Sequence, residues 1–196
     1  MGGRRPRISP EERRGERAAV DDPQVVLEAA ARFLEARSRS ITEVRRRLGR
    51  AGYRSELVEG AIERLTDLGV LDDEAFGRAW LESRDRARPR GEIALRRELA
   101  LKGVEKATID DLLDERRVRA VGSRDGSDGE VVDVDLAAAR RLLVRNERAL
   151  ARVADPRVRR QRAYALLARN GFDPETCREA SAAFLATAAA DADDGD

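Results

Sequence analysis

The chain has 196 residues, 39 of them basic and 38 acidic, so its formal charge is +1 at pH 7. Charged residues make up 39% of it and aromatics only 4%, which favours helices with narrow apolar stripes over a β-sandwich. With no histidine and a single cysteine, Cys177, it lacks the commonest general base and cannot form an internal disulfide or a cysteine-based zinc site.

In chain order, residues 1–21 read as a disordered basic arm, with Arg4, Arg5, Arg7, Arg13, Arg14 and Arg17 and almost no apolar content. They lack the apolar centre of a secretory signal. Leu27, Ala30, Ala31 and Leu34 then follow the i, i+3, i+4, i+7 spacing of a helix. Ser40-Ile41-Thr42-Glu43 is a capping box that starts a second helix. Asp72-Asp73 precedes a helix bearing Phe76, Ala79 and Trp80. Residues 119–134 form a linker, richest in glycine and serine over 121–133. Beyond it, Leu136, Ala139 and Leu143 mark another helix. Asp155-Pro156 and Asp173-Pro174 each supply an N-cap followed by proline at the first helical position. Residues 187–196 read as an acidic, disordered tail. No run of 18 apolar residues occurs, so the expected chain is cytoplasmic and without a membrane partner.

A repeat organises these elements. A leucine, three residues, a glycine and an apolar or aromatic residue recur as Leu48…Gly52-Tyr53, Leu99…Gly103-Val104 and Leu167…Gly171-Phe172. Val44, Leu95 and Ala163 lie four residues before each leucine. Val58 and Ala61, Ile109 and Leu112, and Cys177 and Ala180 lie six and nine residues after each glycine. Those offsets place one apolar stripe on the helix before the glycine and one on the helix after it. The glycine itself suits the left-handed position that ends a helix. The glycines are 51 and then 68 residues apart, and the excess falls largely in the linker. The reading is all-α: nine helices in an elongated tandem array of three three-helix repeats at 22–71, 72–118 and 135–186.

Few residues suggest chemistry. Asp72-Asp73-Glu74 could bind magnesium, but no nucleophile or base accompanies the cluster, and a helix cap accounts for it better. Cys177 and most aromatics fall on stripe positions and read as core. The second helix of the Ser40–Leu68 pair carries Glu56, Glu59, Glu63 and Asp67, which argues against a major-groove recognition helix. Arginine stands out: 37 of the 39 basic residues are arginine. Arg45 and Arg46 on the first middle helix recur as Arg96 and Arg97 on the second, beside the apolar stripe. Arg86, Arg88 and Arg90 lie between them, and Arg159 and Arg160 stand on the third middle helix. These nine residues are the candidate contacts to phosphate or to an acidic protein.

Leu48, Gly52-Tyr53, the run Leu71-Asp72-Asp73-Glu74-Ala75-Phe76, and Arg90-Gly91…Arg97-Glu98-Leu99…Lys102-Gly103 together resemble the RecX regulatory family. The resemblance is strong over about 27–115 and reaches 135–186 only through the repeat pattern. It implies a tandem array of three-helix repeats, no catalytic residues and no cofactor or metal. It further implies binding to the RecA recombinase and its nucleoprotein filament, restraining recombinase and coprotease activity. The expected protein is a monomeric, non-enzymatic regulator. The alternative is a nonspecific binder of single- or double-stranded DNA using the same arginines on phosphate.

Overall fold

The computed structural model describes residues 9–122 and 133–193. The arginines at 4, 5 and 7, the glycine-rich stretch 123–132 and residues 194–196 lie outside the described residues. The described residues contain eleven helices and no strand. The first repeat is α2 (Pro23–Leu34), α3 (Ile41–Ala51) and α4 (Ser55–Asp67), preceded by α1 (Pro10–Ala18). The second is α5 (Asp73–Ala87), α6 (Glu92–Lys102) and α7 (Lys106–Gly122). The third is α8 (Val134–Arg145), α10 (Pro156–Arg169) and α11 (Pro174–Asp193), with the short α9 (Glu147–Ala151) between its first two helices. The all-α class and the repeated three-helix unit are as the sequence predicts. The chain forms two compact units, Met1–Phe76 with Lys102–Val104 and Gly77–Leu101 with Glu105–Asp196.

The middle helices follow their apolar spacing closely. Val44, Leu95, Ala163, Leu48, Leu99 and Leu167 are all at most 2% exposed. The third-helix positions Val58, Ala61, Ile109, Leu112, Cys177 and Ala180 are buried too. Capping also follows the sequence: Ser40 Oγ accepts from Glu43 N–H at 3.1 Å, and Asp72 Oδ1 accepts from Glu74 N–H at 2.8 Å. Asp155 and Asp173 accept from the backbone two residues on at 2.7 and 2.8 Å. Gly52, Gly103 and Gly171 have φ of +105°, +82° and +79°, the left-handed geometry expected of them. In the turns at Gly52 and Gly171, the next residue's N–H reaches back to Leu48 or Leu167 at 3.4 Å.

Each glycine turn is also a receiving surface. The residue before the glycine offers its carbonyl, and a helix approaches the glycine more closely than a β-carbon allows. In the first unit, Ser40 Oγ donates to Lys102 O at 2.6 Å, and a Cβ on Gly103 would overlap the Thr42 side chain. In the second unit, Gly91 N–H donates to Asn170 O at 3.1 Å, and a Cβ on Gly171 would overlap Ala94. Thus the first turn of a middle helix sits on the glycine turn of the next repeat. At the first glycine turn, α1 takes the place that a middle helix holds at the other two. Arg17 Nη1 donates to Ala51 O at 3.4 Å, and a Cβ on Gly52 would lie 2.9 Å from Arg14 O.

This corrects the reading of 1–21 as wholly disordered. Residues 10–18 are helical, started by Ser9 and Glu12 in a reciprocal capping box with Pro10 at the first helical position. The expected count of nine helices gives way to eleven, since α1 and α9 are additional. Helix α11 runs to Asp193, into the tail expected to be disordered, and α7 runs to Gly122, into the expected linker. Two stripes shift register. In α2 the fully buried pair is Val26 and Ala30, with Leu27 and Leu34 only flanking it. In α5, Ala79 is exposed, and the buried positions are Phe76, Gly77 and Leu81. Gly77 is buried because Leu112 occupies the space a side chain would need.

The glycine turns give a graded stability test. Gly69 has φ +66° with open space around it, so Gly69→Ala should cost about 1–2 kcal/mol for left-handed strain alone. Gly103→Ala adds overlap with Thr42 and should cost clearly more. Urea unfolding followed by circular dichroism checks the order, and equal midpoints would refute the close-approach argument.

Candidate functional site

The arginine pairs of the first two middle helices split into two kinds. Arg45 donates Nε and Nη2 to the two oxygens of Glu59 at 2.6 and 2.7 Å. Arg96, at the equivalent position, is paired with Asp110 and reaches Glu92 at 3.2 Å. Glu59 and Asp110 are themselves equivalent, each seven residues after its glycine. The hydrogen-bonded arginine holds each carboxyl below its ordinary range. Such a clasp ties the middle helix to the third helix within a repeat. The third repeat replaces it with Tyr164 and Arg178.

Arg46 and Arg97, one residue on, are exposed and make no hydrogen bond or ion pair among the described residues. The same holds for the side chains of Arg86, Arg88 and Arg160. Arg90 is a junction residue, donating to Asn170 Oδ1 at 2.5 Å and standing 3.6 Å from Glu98. Arg159 donates Nε to Val153 O at 3.0 Å. The nine arginines therefore do not act as one set. Arg45, Arg90, Arg96 and Arg159 are held internally, while Arg46, Arg86, Arg88, Arg97 and Arg160 face solvent.

The surroundings of the free residues differ. On α6, Arg97 stands among Ile93, 58% exposed, Leu101, 67% exposed, and exposed Ala100. The equivalent positions hold Thr42, Arg50 and Gly49 on α3, and Gln161, Arg169 and Ala168 on α10. On α9–α10, Arg148, Arg152, Arg157, Arg160 and Arg162 are exposed without a partner among the described residues. The acids in that stretch are Glu147 and Asp155, and Asp155 caps α10. Unneutralised positive charge is therefore concentrated in the third repeat.

A buried ionic cluster escaped the sequence reading. Arg116 on α7, 7% exposed, donates Nε and Nη2 to Asp85 on α5, both at 2.9 Å. Its Nη1 donates to Asp135 at the start of α8 at 2.8 Å. The other oxygen of Asp135 accepts from Glu92 N–H, at the first turn of α6, at 2.7 Å. One guanidinium thus joins the second repeat to the third across the segment 123–132. Its pairs span 31 and 19 residues and follow no helical period.

The residues considered for catalysis are accounted for otherwise. Asp72 caps α5, and Asp73 Oδ1 accepts from Ile41 N–H at 2.9 Å. No group of three His, Cys, Asp or Glu residues could hold a metal among the described residues. Cys177 is fully buried, and burial pushes its thiol above its ordinary pKa. Trp80 Nε1 donates to Glu98 Oε2 at 2.9 Å, and the Arg84 guanidinium lies 4.2 Å from the Trp80 ring centre. No helix among the described residues is long and apolar enough to cross a membrane.

Comparison with known proteins finds two family models on this chain. The model of the first three-helix domain of RecX matches residues 27–65, and that of the second matches 72–113. A regulatory protein RecX from Pelodictyon phaeoclathratiforme is 42% identical over 86 residues, covering 44% of this chain and 54% of the relative. One from Chlorobium phaeobacteroides is 29% identical over 161 residues, covering 82% of this chain and 94% of the relative. The chain thus spans about half the length of the former and nearly all of the latter. A crystal structure of RecX from Lactobacillus salivarius has the same fold, with a TM-score of 0.65 at 16% identity. That likeness covers 82% of this chain and 94% of the other. A second crystal structure of a regulatory protein RecX gives a TM-score of 0.64 at 19% identity, covering 90% of this chain and 78% of that one.

Proposed function

The chain belongs to the RecX family, and from that premise we propose that it binds the RecA recombinase on its DNA filament and restrains it. It acts by binding, with no catalytic step, no cofactor and no metal. One structural observation supports a protein target. Helices α3 and α6 repeat a two-arginine device in which an acid holds the first arginine and the second stands free. A charge left unpaired at the same place in two repeats is available to an acidic partner surface. RecA restraint places the action in the cytoplasm, in recombination and DNA repair, and the regulator works as a monomer.

A second reading draws on the third repeat. The unpaired arginines of α9–α10 suit the phosphate backbone, where binding is sequence-independent and falls steeply with salt. The two readings are compatible if the third repeat touches the DNA that the filament carries.

The deciding experiment titrates the chain into RecA filaments on single-stranded DNA, reading DNA-dependent ATP hydrolysis, with bare DNA binding measured in parallel. Inhibition at concentrations that leave bare DNA unbound is the expected result. Inhibition that appears only once bare DNA is bound would favour the nonspecific binder.

A further inference from the structure

We infer that the outer face of α6 is a protein-docking site, and that it takes a carboxylate set in an apolar groove. This rests on the reading that the chain binds the RecA filament, and it names the surface that does so. On a helix, the neighbours of Arg97 three and four residues away are Ile93, Ala94, Ala100 and Leu101. All are apolar, so no side chain of α6 one turn away can neutralise it. Ile93 and Leu101 are more than half exposed, although both are large enough to be core residues. The first two middle helices share the free arginine, yet α6 alone has bulky apolar residues before and after it; α3 has Thr42 and Arg50 there.

A free cation ringed by exposed apolar groups fits a particular partner. Phosphate would satisfy Arg97 and leave Ile93 and Leu101 in water, so nucleic acid does not explain the face. A protein groove with an acidic residue near its centre satisfies both. Its apolar walls cover Ile93, Ala100 and Leu101, and water is then excluded from the new ion pair, the arrangement typical of an arginine hot spot. The spacing of Ile93, Arg97 and Leu101 at i, i+4 and i+8 is that of a helix laid into a groove.

The test uses the full-length double variant I93S/L101S. Both positions are exposed, so its thermal midpoint should match the wild type. The control is V118S/V144S, which removes two other apolar residues that are 72% and 63% exposed. Binding is read by fluorescence anisotropy against RecA filaments held by a non-hydrolysable nucleotide and, separately, against bare single-stranded DNA. The expected result is filament binding weakened at least about tenfold in I93S/L101S alone, with bare DNA binding unchanged in both variants. Filament binding equal to wild type, or an equal loss in the control, overturns the assignment while leaving the RecA reading intact. A wild-type chain that ignores the filament rejects that reading, and the docking site with it.

Discussion

Arg116→Met is expected to lower the stability of the chain by about 3–5 kcal/mol, the largest effect of any single substitution considered. Arg116 is 7% exposed and donates to two carboxylates, one on α5 and one at the start of α8. Methionine fills much of the same volume but leaves Asp135 without its counterion and Asp85 with only the Arg141 guanidinium, 4.0 Å away. Asp135 is itself buried, and the Glu92 N–H alone does not offset an uncompensated charge. Arg116→Lys keeps the charge and loses the fork that reaches both acids, so it should fall between methionine and wild type. A triple variant, D85N/R116M/D135N, removes all three charges and should be less destabilised than R116M alone. The measurement is urea unfolding followed in two ways. The single tryptophan, Trp80, reports the second repeat, and far-ultraviolet circular dichroism reports all helices. If Arg116 joins the repeats, R116M should separate the two transitions, with helix lost first. Coincident transitions shifted by less than about 1 kcal/mol would reduce the cluster to a surface ion pair.

That cluster also shows what a sequence exposes and what it hides. The repeat was legible because its signals are local and periodic: four-residue steps to Leu48, Leu99 and Leu167, then a glycine that must turn left-handed. The caps at Ser40, Asp72, Asp155 and Asp173 were legible for the same reason. The Arg116 pairs join residues with no fixed offset, so composition and period are silent about them. Helix α1 was missed because charge density read as disorder, although Ser9-Pro10-Glu11-Glu12 has the spacing of a capping box. Its place on the Gly52 turn is a tertiary fact. The arginine pairs were half legible. Their recurrence was visible, but their inequality depends on Glu59 and Asp110, which reach only the first arginine of each pair. In both repeats that acid follows the arginine by 14 residues, a signal the sequence did contain.

The inequality leads to the second large effect, a separation of stability from function between neighbouring residues. R45E/R96E should be destabilised, because each new glutamate faces the acid that its arginine held. Loss of the attraction and gain of a like charge should together lower the unfolding midpoint only modestly, since both pairs are partly exposed to solvent. Below its unfolding transition, this variant should still inhibit RecA. R46E/R97E carries the same change of charge but breaks no internal contact, so its midpoint should match wild type. Its inhibition of RecA's ATP hydrolysis should fall by about 2–3 kcal/mol, roughly a hundredfold, since two attractions become two repulsions. R157E/R160E completes the set on α10. It should weaken binding to bare DNA and flatten its dependence on salt, because fewer counterions are released. All three variants change net charge equally, so a purely nonspecific attraction would weaken them alike. Equal loss across the three would therefore replace the docked regulator with a DNA binder. Full inhibition by a folded R46E/R97E would exclude these two arginines from the filament contact.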